Sequence, residues 1–212
     1  MIFNNGIKKV SLIATLAGVM SAAHAVDQGG YFGLMVGQSN LNGQNQTIAI
    51  APGVNVMVKP QGTGVGTRLF AGYNFNPYAA IEGGFTYYSS MTYQTTIISN
   101  NLKTRAGSFD LLGKGILPLA DSGFGLFAKL GFAYMYTKTT GKVEGVAQPT
   151  TTATGFRPAA GLGVSYDISQ NWVADLSYTT VRYSNSVVKN PSLIALGISY
   201  HLLDPVCGQF LC

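Results

Sequence analysis

Residues 193–201 read Leu-Ile-Ala-Leu-Gly-Ile-Ser-Tyr-His, and large apolar side chains alternate there with small or polar ones. The large residues, at every second position, are Ile194, Leu196, Ile198, Tyr200 and Leu202. The residues between them are Ala195, Gly197, Ser199 and His201. Alternation with a period of two is typical of a β-strand whose two faces meet different surroundings. We therefore interpret 192–203 as a strand with one large apolar face and one small polar face.

Seven further segments share this pattern, and turn-forming residues separate them. With the last strand, they lie near 30–39, 64–75, 79–91, 105–118, 124–138, 155–168, 172–184 and 192–203. The connectors alternate between short turns at 76–77, 120–123 and 169–171 and long polar loops at 40–63, 92–104, 139–154 and 185–191. This alternation, with both chain ends on the short side, is typical of outer-membrane barrels. We predict an all-β fold, an eight-stranded antiparallel up-and-down transmembrane β-barrel over residues 26–203.

The composition places the large apolar face against lipid. Hydrophobic residues make up 47% of the chain and charged residues 10%, whereas soluble domains have about 25% charged residues. In a lipocalin-like carrier, the alternative barrel, the large residues would line the inside and the charges would cover the outside. The longest apolar run after the N-terminus, 193–198, is far shorter than the roughly 20 residues that a membrane-spanning helix needs. The chain should therefore cross a membrane with strands.

Eight charged residues fall on the small, polar face, which would line the barrel lumen. They are Arg68, Glu82, Asp110, Lys114, Lys129, Arg157, Asp167 and Asp175. Unpaired charges in a narrow lumen would keep their desolvation cost, so we expect two paired layers. The first layer comprises Glu82, Lys114, Lys129 and Asp175, and the second, nearer the long loops, comprises Arg68, Asp110 and Arg157. Eight strands leave an interior just wide enough for side chains to fill. The prediction is a plugged interior, and a narrow pore for small solutes is the alternative.

Two other groups of residues fit the membrane interfaces. Seven basic residues lie in or beside the long loops against one acid, Glu144: Lys59, Lys103, Arg105, Lys138, Lys142, Arg182 and Lys189. They could bind phosphates of outer-leaflet lipopolysaccharide, or they could simply keep the loops soluble. Aromatic residues near strand ends predict an interfacial girdle. They are Tyr31, Tyr73, Tyr78, Tyr87, Tyr166, Trp172 and Tyr200.

The first 25 residues have the features of a secretory signal peptide in the right order. Lys8 and Lys9 precede an apolar stretch at 10–20, and Ala-His-Ala follows at 23–25. We predict export and cleavage after Ala25. Cleavage removes two of the 13 basic residues, so that 11 remain against 8 acidic residues. This small excess gives no reason to expect nucleic-acid binding.

Residues 204–212 are predicted to be a C-terminal tail, and it contains both cysteines, Cys207 and Cys212. In an oxidising compartment they could form a disulfide, and a free redox pair is the alternative. Once His24 has been removed with the signal peptide, His201 is the remaining histidine. Neither a metal site nor a cofactor is therefore predicted.

Seven segments of the predicted strands, taken together, carry a family likeness. They are Gly-Tyr-Phe-Gly-Leu at 30–34, Asp-Leu-Leu-Gly-Lys at 110–114, and the stretches 69–78, 80–85, 126–131, 157–166 and 193–201. The chain resembles the OmpA-like outer membrane β-barrel family of Gram-negative bacteria. The resemblance implies a monomer that the barrel-assembly machinery inserts into the cell outer membrane. It further implies a structural or surface role, in which the loops could contact host-surface ligands, and no catalysis. The peptidoglycan-binding domain of full members is not expected here, and Leu202 stands where members often have an aromatic residue.

One segment has a partial likeness to an enzyme signature. Outer-membrane lipid A deacylases carry His-x-Ser-Asn near the C-terminus, and this chain has Arg182-Tyr183-Ser184-Asn185. A serine nucleophile needs a base to take its proton, and an arginine side chain stays protonated. His201 should lie at the opposite end of the next strand. We predict that the chain is not an enzyme, and a deacylase-like hydrolase is a remote alternative.

Overall fold

The computed structural model describes residues 28–43, 45–51, 54–58, 62–94, 101–119, 122–143, 146–147, 150–184 and 188–202. The strands in these ranges are β1 (Gly29–Asn40), β2 (Gln46–Ala51), β3 (Val54–Val58), β4 (Thr63–Asn76), β5 (Ala79–Gln94), β6 (Asn101–Pro118), β7 (Phe124–Val143), β8 (Val146–Ala147), β9 (Thr151–Asp167), β10 (Trp172–Val181) and β11 (Ser192–His201). The predicted signal peptide, its cleavage site after Ala25, and Cys207 and Cys212 lie outside the described residues. Nowhere in the described ranges is there a helix with the length and apolarity to span a membrane.

Eight of these strands close into one antiparallel barrel. Each of β1, β4, β5, β6, β7, β9, β10 and β11 pairs with the next, and β11 returns to pair with β1. Closure aligns Tyr31 with His201 and Asn40 with Ser192. A closed sheet leaves no edge strand unpaired, which is a requirement for strands that face lipid. The predicted eight-stranded up-and-down barrel is confirmed.

The alternation of the strands sorts their side chains between lumen and outer wall. On β1, Tyr31 and Met35 are buried, whereas Phe32, Leu34 and Val36 are exposed. On β11, Leu193, Ala195 and Ser199 are buried, whereas Ile194, Leu196 and Ile198 are exposed. The outer wall is therefore a band of large apolar residues, as the sequence predicts. This arrangement is typical of a barrel whose outer wall faces lipid.

The wall is not equally high all the way round. β7 has 20 residues and β6 has 18, whereas β10 and β11 on the opposite side have 10 each. The high side extends into segments that the sequence analysis assigns to the long loops at 92–104 and 139–154. These segments are polar but rich in threonine, which favours strands. The predicted loop at 40–63 likewise contains an antiparallel hairpin, formed by β2 and β3.

The barrel lumen as the candidate functional site

An ionic cluster fills the middle of the lumen. Arg68 on β4 donates to Glu82 on β5, with an Nη2–Oε1 distance of 2.9 Å, and to Asp110 on β6 at 2.5 and 2.7 Å. Lys129 on β7 donates to both carboxylate oxygens of Glu82, at 2.7 and 2.8 Å. Arg68, Glu82 and Lys129 are almost fully buried, at 1%, 0% and 1% exposure. Four strands thus contribute to one connected chain of charges, from Asp110 through Arg68 and Glu82 to Lys129.

Glycines make room for this network. A Cβ atom added at Gly84 would lie 2.5 Å from the Arg68 guanidinium. A side chain at position 84 would force the guanidinium away from its present place, so the glycine leaves room for the arginine to reach its partners. The small, polar face recognised in the sequence therefore serves a packing purpose: small residues accept the long charged side chains of the facing strands.

A second ion pair lies beside the cluster. Lys114 on β6 is directly opposite Lys129 in the strand register. The two ammonium groups have different acidic partners, Asp175 for Lys114 and Glu82 for Lys129. Lys114 Nζ lies 3.9 Å from Asp175 Oδ1, which is too long for a hydrogen bond. The ring of Phe127 contacts both cations: its centroid lies 4.4 Å from Lys114 Nζ and 4.9 Å from Lys129 Nζ. Cation–π contacts and two acids together hold this pair of like charges in place.

Polar residues line the end of the lumen that carries the short turns, which we call the turn end. The Tyr31 hydroxyl donates to Glu82 Oε2 at 3.2 Å, and its ring stacks on the His201 ring at 4.9 Å. His201 also contacts Asn74 and Ser199 at 3.3 and 3.2 Å. A small cavity of about 40 Å³ opens beside Asn74, His201 and Lys114. A space of this size holds about one water molecule.

The opposite end of the lumen, the loop end, is closed by apolar side chains. We call this group the apolar stopper, and its members are Leu41, Tyr88, Met91, Val181, Tyr183 and Val188. All of them are buried to 2% exposure or less. The stopper is not predicted from the sequence, because Leu41, Tyr183 and Val188 lie in or next to loops. The alternation of apolar and polar residues that identifies the strands is absent there.

Hydrogen bonds within the first loop, and between the first and the last loop, hold the stopper. Leu41 N donates to Gly62 O at 3.0 Å, and Lys189 N donates to Asn42 O at 3.3 Å. Gly43 and Val188 form an isolated β-bridge, and the Asn42 side chain donates to Asn190 O at 2.8 Å. These contacts, which we call the clasp, join residues almost 150 positions apart in the chain at the loop end of the lumen.

The structure does not bring all the predicted lumen residues together. Arg157 is exposed and its guanidinium lies 5.7 Å from the Tyr183 ring centroid, so it does not join Arg68 and Asp110 in a second layer. The register explains this, because Ala159 pairs with Val181, the last residue of β10, and Arg157 therefore lies beyond the end of that strand. Asp167 is partly exposed and lines the turn-end cavity. The prediction that Tyr31 belongs to the girdle is wrong, since it is 3% exposed and inside the lumen.

The residues of the partial deacylase signature are also separated. Ser184 is exposed and forms a bridge with Lys189 at the loop end. His201 is buried at the turn end, beside Asn74 and Tyr31. The full length of β11 therefore lies between the serine and the histidine. Asn185, the last residue of the signature, lies outside the described residues.

Comparison with known proteins gives one family for nearly the whole chain. The sequence model of the outer membrane protein β-barrel domain matches residues 10–201. An uncharacterised protein of Coxiella burnetii is 31% identical over 170 residues, covering 65% of this chain and 68% of that protein. Outer membrane protein A of Serratia marcescens is 27% identical over 206 residues, covering 90% of this chain. The chain spans 55% of the length of that second relative.

A solved structure with the same architecture is the outer membrane protein OprG from Pseudomonas aeruginosa. It superposes with a TM-score of 0.56, covering 84% of this chain and 98% of that one, at 12% sequence identity. At so low an identity the likeness concerns the fold alone.

Proposed function

The chain belongs to the outer membrane protein β-barrel family, and from that premise we propose that it is a monomeric structural barrel whose lumen is closed to solutes. The observation that carries the proposal is the double closure of the lumen. The ionic cluster of Arg68, Glu82, Asp110 and Lys129 blocks its middle, and the apolar stopper blocks its loop end. A solute would have to displace both.

The orientation follows the rule for barrels of this kind, which keep short turns on the periplasmic side and long loops outside. The turn end, with Asn74 and His201, then faces the periplasm, after delivery by the signal peptide and insertion by the barrel-assembly machinery. The loop end, with its excess of basic residues, faces lipopolysaccharide and any ligands on a host surface. The role is structural and adhesive, and the separation of Ser184 from His201 supports a function without hydrolysis.

Gel mobility and conductance measured on one purified sample test the proposal. The unheated protein should migrate faster than the boiled protein, because a folded barrel is more compact than its unfolded chain in detergent. The same sample should give no steady current steps in a planar lipid bilayer. Steady steps of uniform size would instead establish the narrow pore. Identical migration before and after boiling would contradict the folded barrel itself.

A further inference from the structure

Strands β6 and β7 carry two pairs of like charges that face each other directly. In the lumen, Lys114 is opposite Lys129, and outside, Arg105 is opposite Lys138. Side chains opposite each other on one face of an antiparallel pair have Cβ atoms about 4.5–5.5 Å apart, and like charges there are destabilising. Each pair therefore needs a counter-charge.

The lumen pair has its counter-charges within the chain. Lys129 binds Glu82 at 2.7 Å, and Lys114 lies 3.9 Å from Asp175. The outer pair differs, because both Arg105 and Lys138 are exposed, and within the described ranges no acidic side chain lies within 4 Å of either. Lys103 adds a third exposed cation two residues from Arg105 on the same face. Against these three, the loop side of the sequence offers one acid, Glu144.

The outer pair lies at the upper border of the apolar band. Leu117 and Phe109 on β6 are 60% and 63% exposed, and Arg105 lies four residues before Phe109, towards the loop end. From Leu117 to Arg105 there are about 40 Å of strand, or roughly 30 Å of height at the usual tilt, against a band about 25 Å tall. Tyr136, 42% exposed, precedes Lys138 by two residues on the same face of β7. The cations thus lie just beyond the apolar band on its loop side, and they are on the outer face of the barrel wall.

From this placement we propose that Arg105, Lys138 and Lys103 form a lateral binding site for a phosphate group of outer-leaflet lipopolysaccharide, on the lipid A part. The inference rests on the proposed placement of the barrel in the outer membrane. A guanidinium matches phosphate oxygens with two parallel hydrogen bonds, and an ammonium adds a point charge. Thr140, opposite Lys103, and Thr152, opposite Lys138, place hydroxyl groups on the same exposed surface. A ligand that approached from solution would meet the loops first, whereas this surface faces neighbouring lipid.

Binding of purified lipid A to the folded protein in detergent, followed by native mass spectrometry, tests the site. The double variant Arg105→Gln/Lys138→Gln should bind lipid A about tenfold more weakly, as expected when two charge-assisted contacts are lost. The matched control, Arg182→Gln/Lys189→Gln, removes the same two charges from exposed residues at the same end and should stay within about twofold of the wild type. The exchange Arg105→Lys/Lys138→Arg keeps both charges and should retain binding.

Two further comparisons test whether the phosphate groups of lipid A are what the site binds. Enzymatically dephosphorylated lipid A should bind no better to the wild type than intact lipid A binds to the Gln double variant. Millimolar inorganic phosphate should fail to displace intact lipid A. Equal binding of intact and dephosphorylated lipid A, or full displacement by inorganic phosphate, would overturn the site. So would a folded Gln double variant that binds like the wild type. The gel-mobility shift is recorded on every sample, and its loss in the wild type would refute the barrel proposal separately from the site.

Discussion

The lumen is closed twice, and the two closures differ in chemistry. The ionic cluster uses side chains from the middle of four wall strands, with Glu82 shared between Arg68 and Lys129. The apolar stopper uses residues at the loop end, where Asn42 bonds to Asn190 and Gly43 forms a bridge with Val188. Removing one partner of a buried ion pair leaves the other charge buried and unpaired, which costs much stability. Removing part of a buried apolar side chain costs stability in proportion to the cavity that it leaves. Loss of a single group should therefore damage the ionic cluster more than the stopper.

The largest loss is expected from Glu82→Lys, which replaces the shared acid of the cluster by a third cation beside Arg68 and Lys129. Removal of one partner from a buried ion pair costs about 3–5 kcal/mol, and here two cations lose their partner at once. Urea unfolding in lipid micelles, followed by the gel-mobility shift, should show a loss of stability at or above this range. Glu82→Gln, which keeps the shape of the side chain, should lose less. A Glu82→Lys barrel as stable as the wild type would contradict the network.

A smaller loss is expected from Leu41→Ala in the apolar stopper. Leu41 is 0% exposed, and truncation of a buried leucine to alanine costs about 2–5 kcal/mol. The value should fall at the lower end of this range, because water can enter from the nearby mouth. The same urea titration measures it, with exposed Leu196→Ala on the outer wall as the matched control. If Leu41→Ala destabilised the barrel more than Glu82→Lys, the order of the two closures would be reversed.

Lys114→Met should cost about 1 kcal/mol, less than either change above. Lys114 Nζ is 3.9 Å from Asp175, too far for a hydrogen bond, and the lysine borders the small turn-end cavity, so this pair contributes less than the hydrogen-bonded pairs of the cluster. Methionine keeps the contact of the side chain with Phe127. Lys129→Met on the opposite strand is the sharp comparison, because it removes a cation that donates twice to Glu82. Equal losses for the two lysines would mean that the 3.9 Å pair is as important as the closer one.

The smallest effect is expected from Arg157→Ala. Arg157 is exposed, and its contact with Tyr183 is a cation–π interaction near solvent, worth about 0.5–1 kcal/mol at most. Arg68→Ala, the same substitution inside the ionic cluster, should cost several times more because it leaves Asp110 and Glu82 buried without their guanidinium. Comparable losses at positions 68 and 157 would show that Arg157 belongs to the network after all.

The sequence predicts the fold well because strand alternation is a local property. The two faces of β11 can be recognised from residues 193–201 alone, and the same rule assigns Arg68, Glu82 and Lys129 to the lumen. Tyr31 is the exception among the residues predicted for the girdle. It lies near a strand end, which favours the girdle, but it shares its face with Met35, whereas Phe32 and Leu34 lie on the other face. The alternation alone therefore predicts that Tyr31 lies inside the barrel.

The stopper could not be predicted in the same way. It depends on the path of two loops, and Asn42 and Asn190 at its clasp have positive φ angles of 43° and 45°. Asparagine tolerates this left-handed conformation better than most residues, but its presence alone does not say which loop it will meet. The hairpin of β2 and β3 was missed for a different reason. Residues 47–58 are mostly apolar, but polar, turn-forming residues flank them at 42–46 and 59–63, and these favour one long loop over 40–63.

The pairing of β1 with β11 also governs the order in which the molecule can be built. Every other pair joins barrel strands that follow one another along the chain, with at most a short hairpin or bridge strand between them, whereas Tyr31 and His201 are about 170 residues apart. Pairings between distant residues carry the largest loop-closure entropy and form slowly. The seam between the first and last strands should therefore close last, after the other seven pairings have curved the sheet. Until that moment both edges remain open, and the chain depends on its surroundings to keep them from pairing with another molecule.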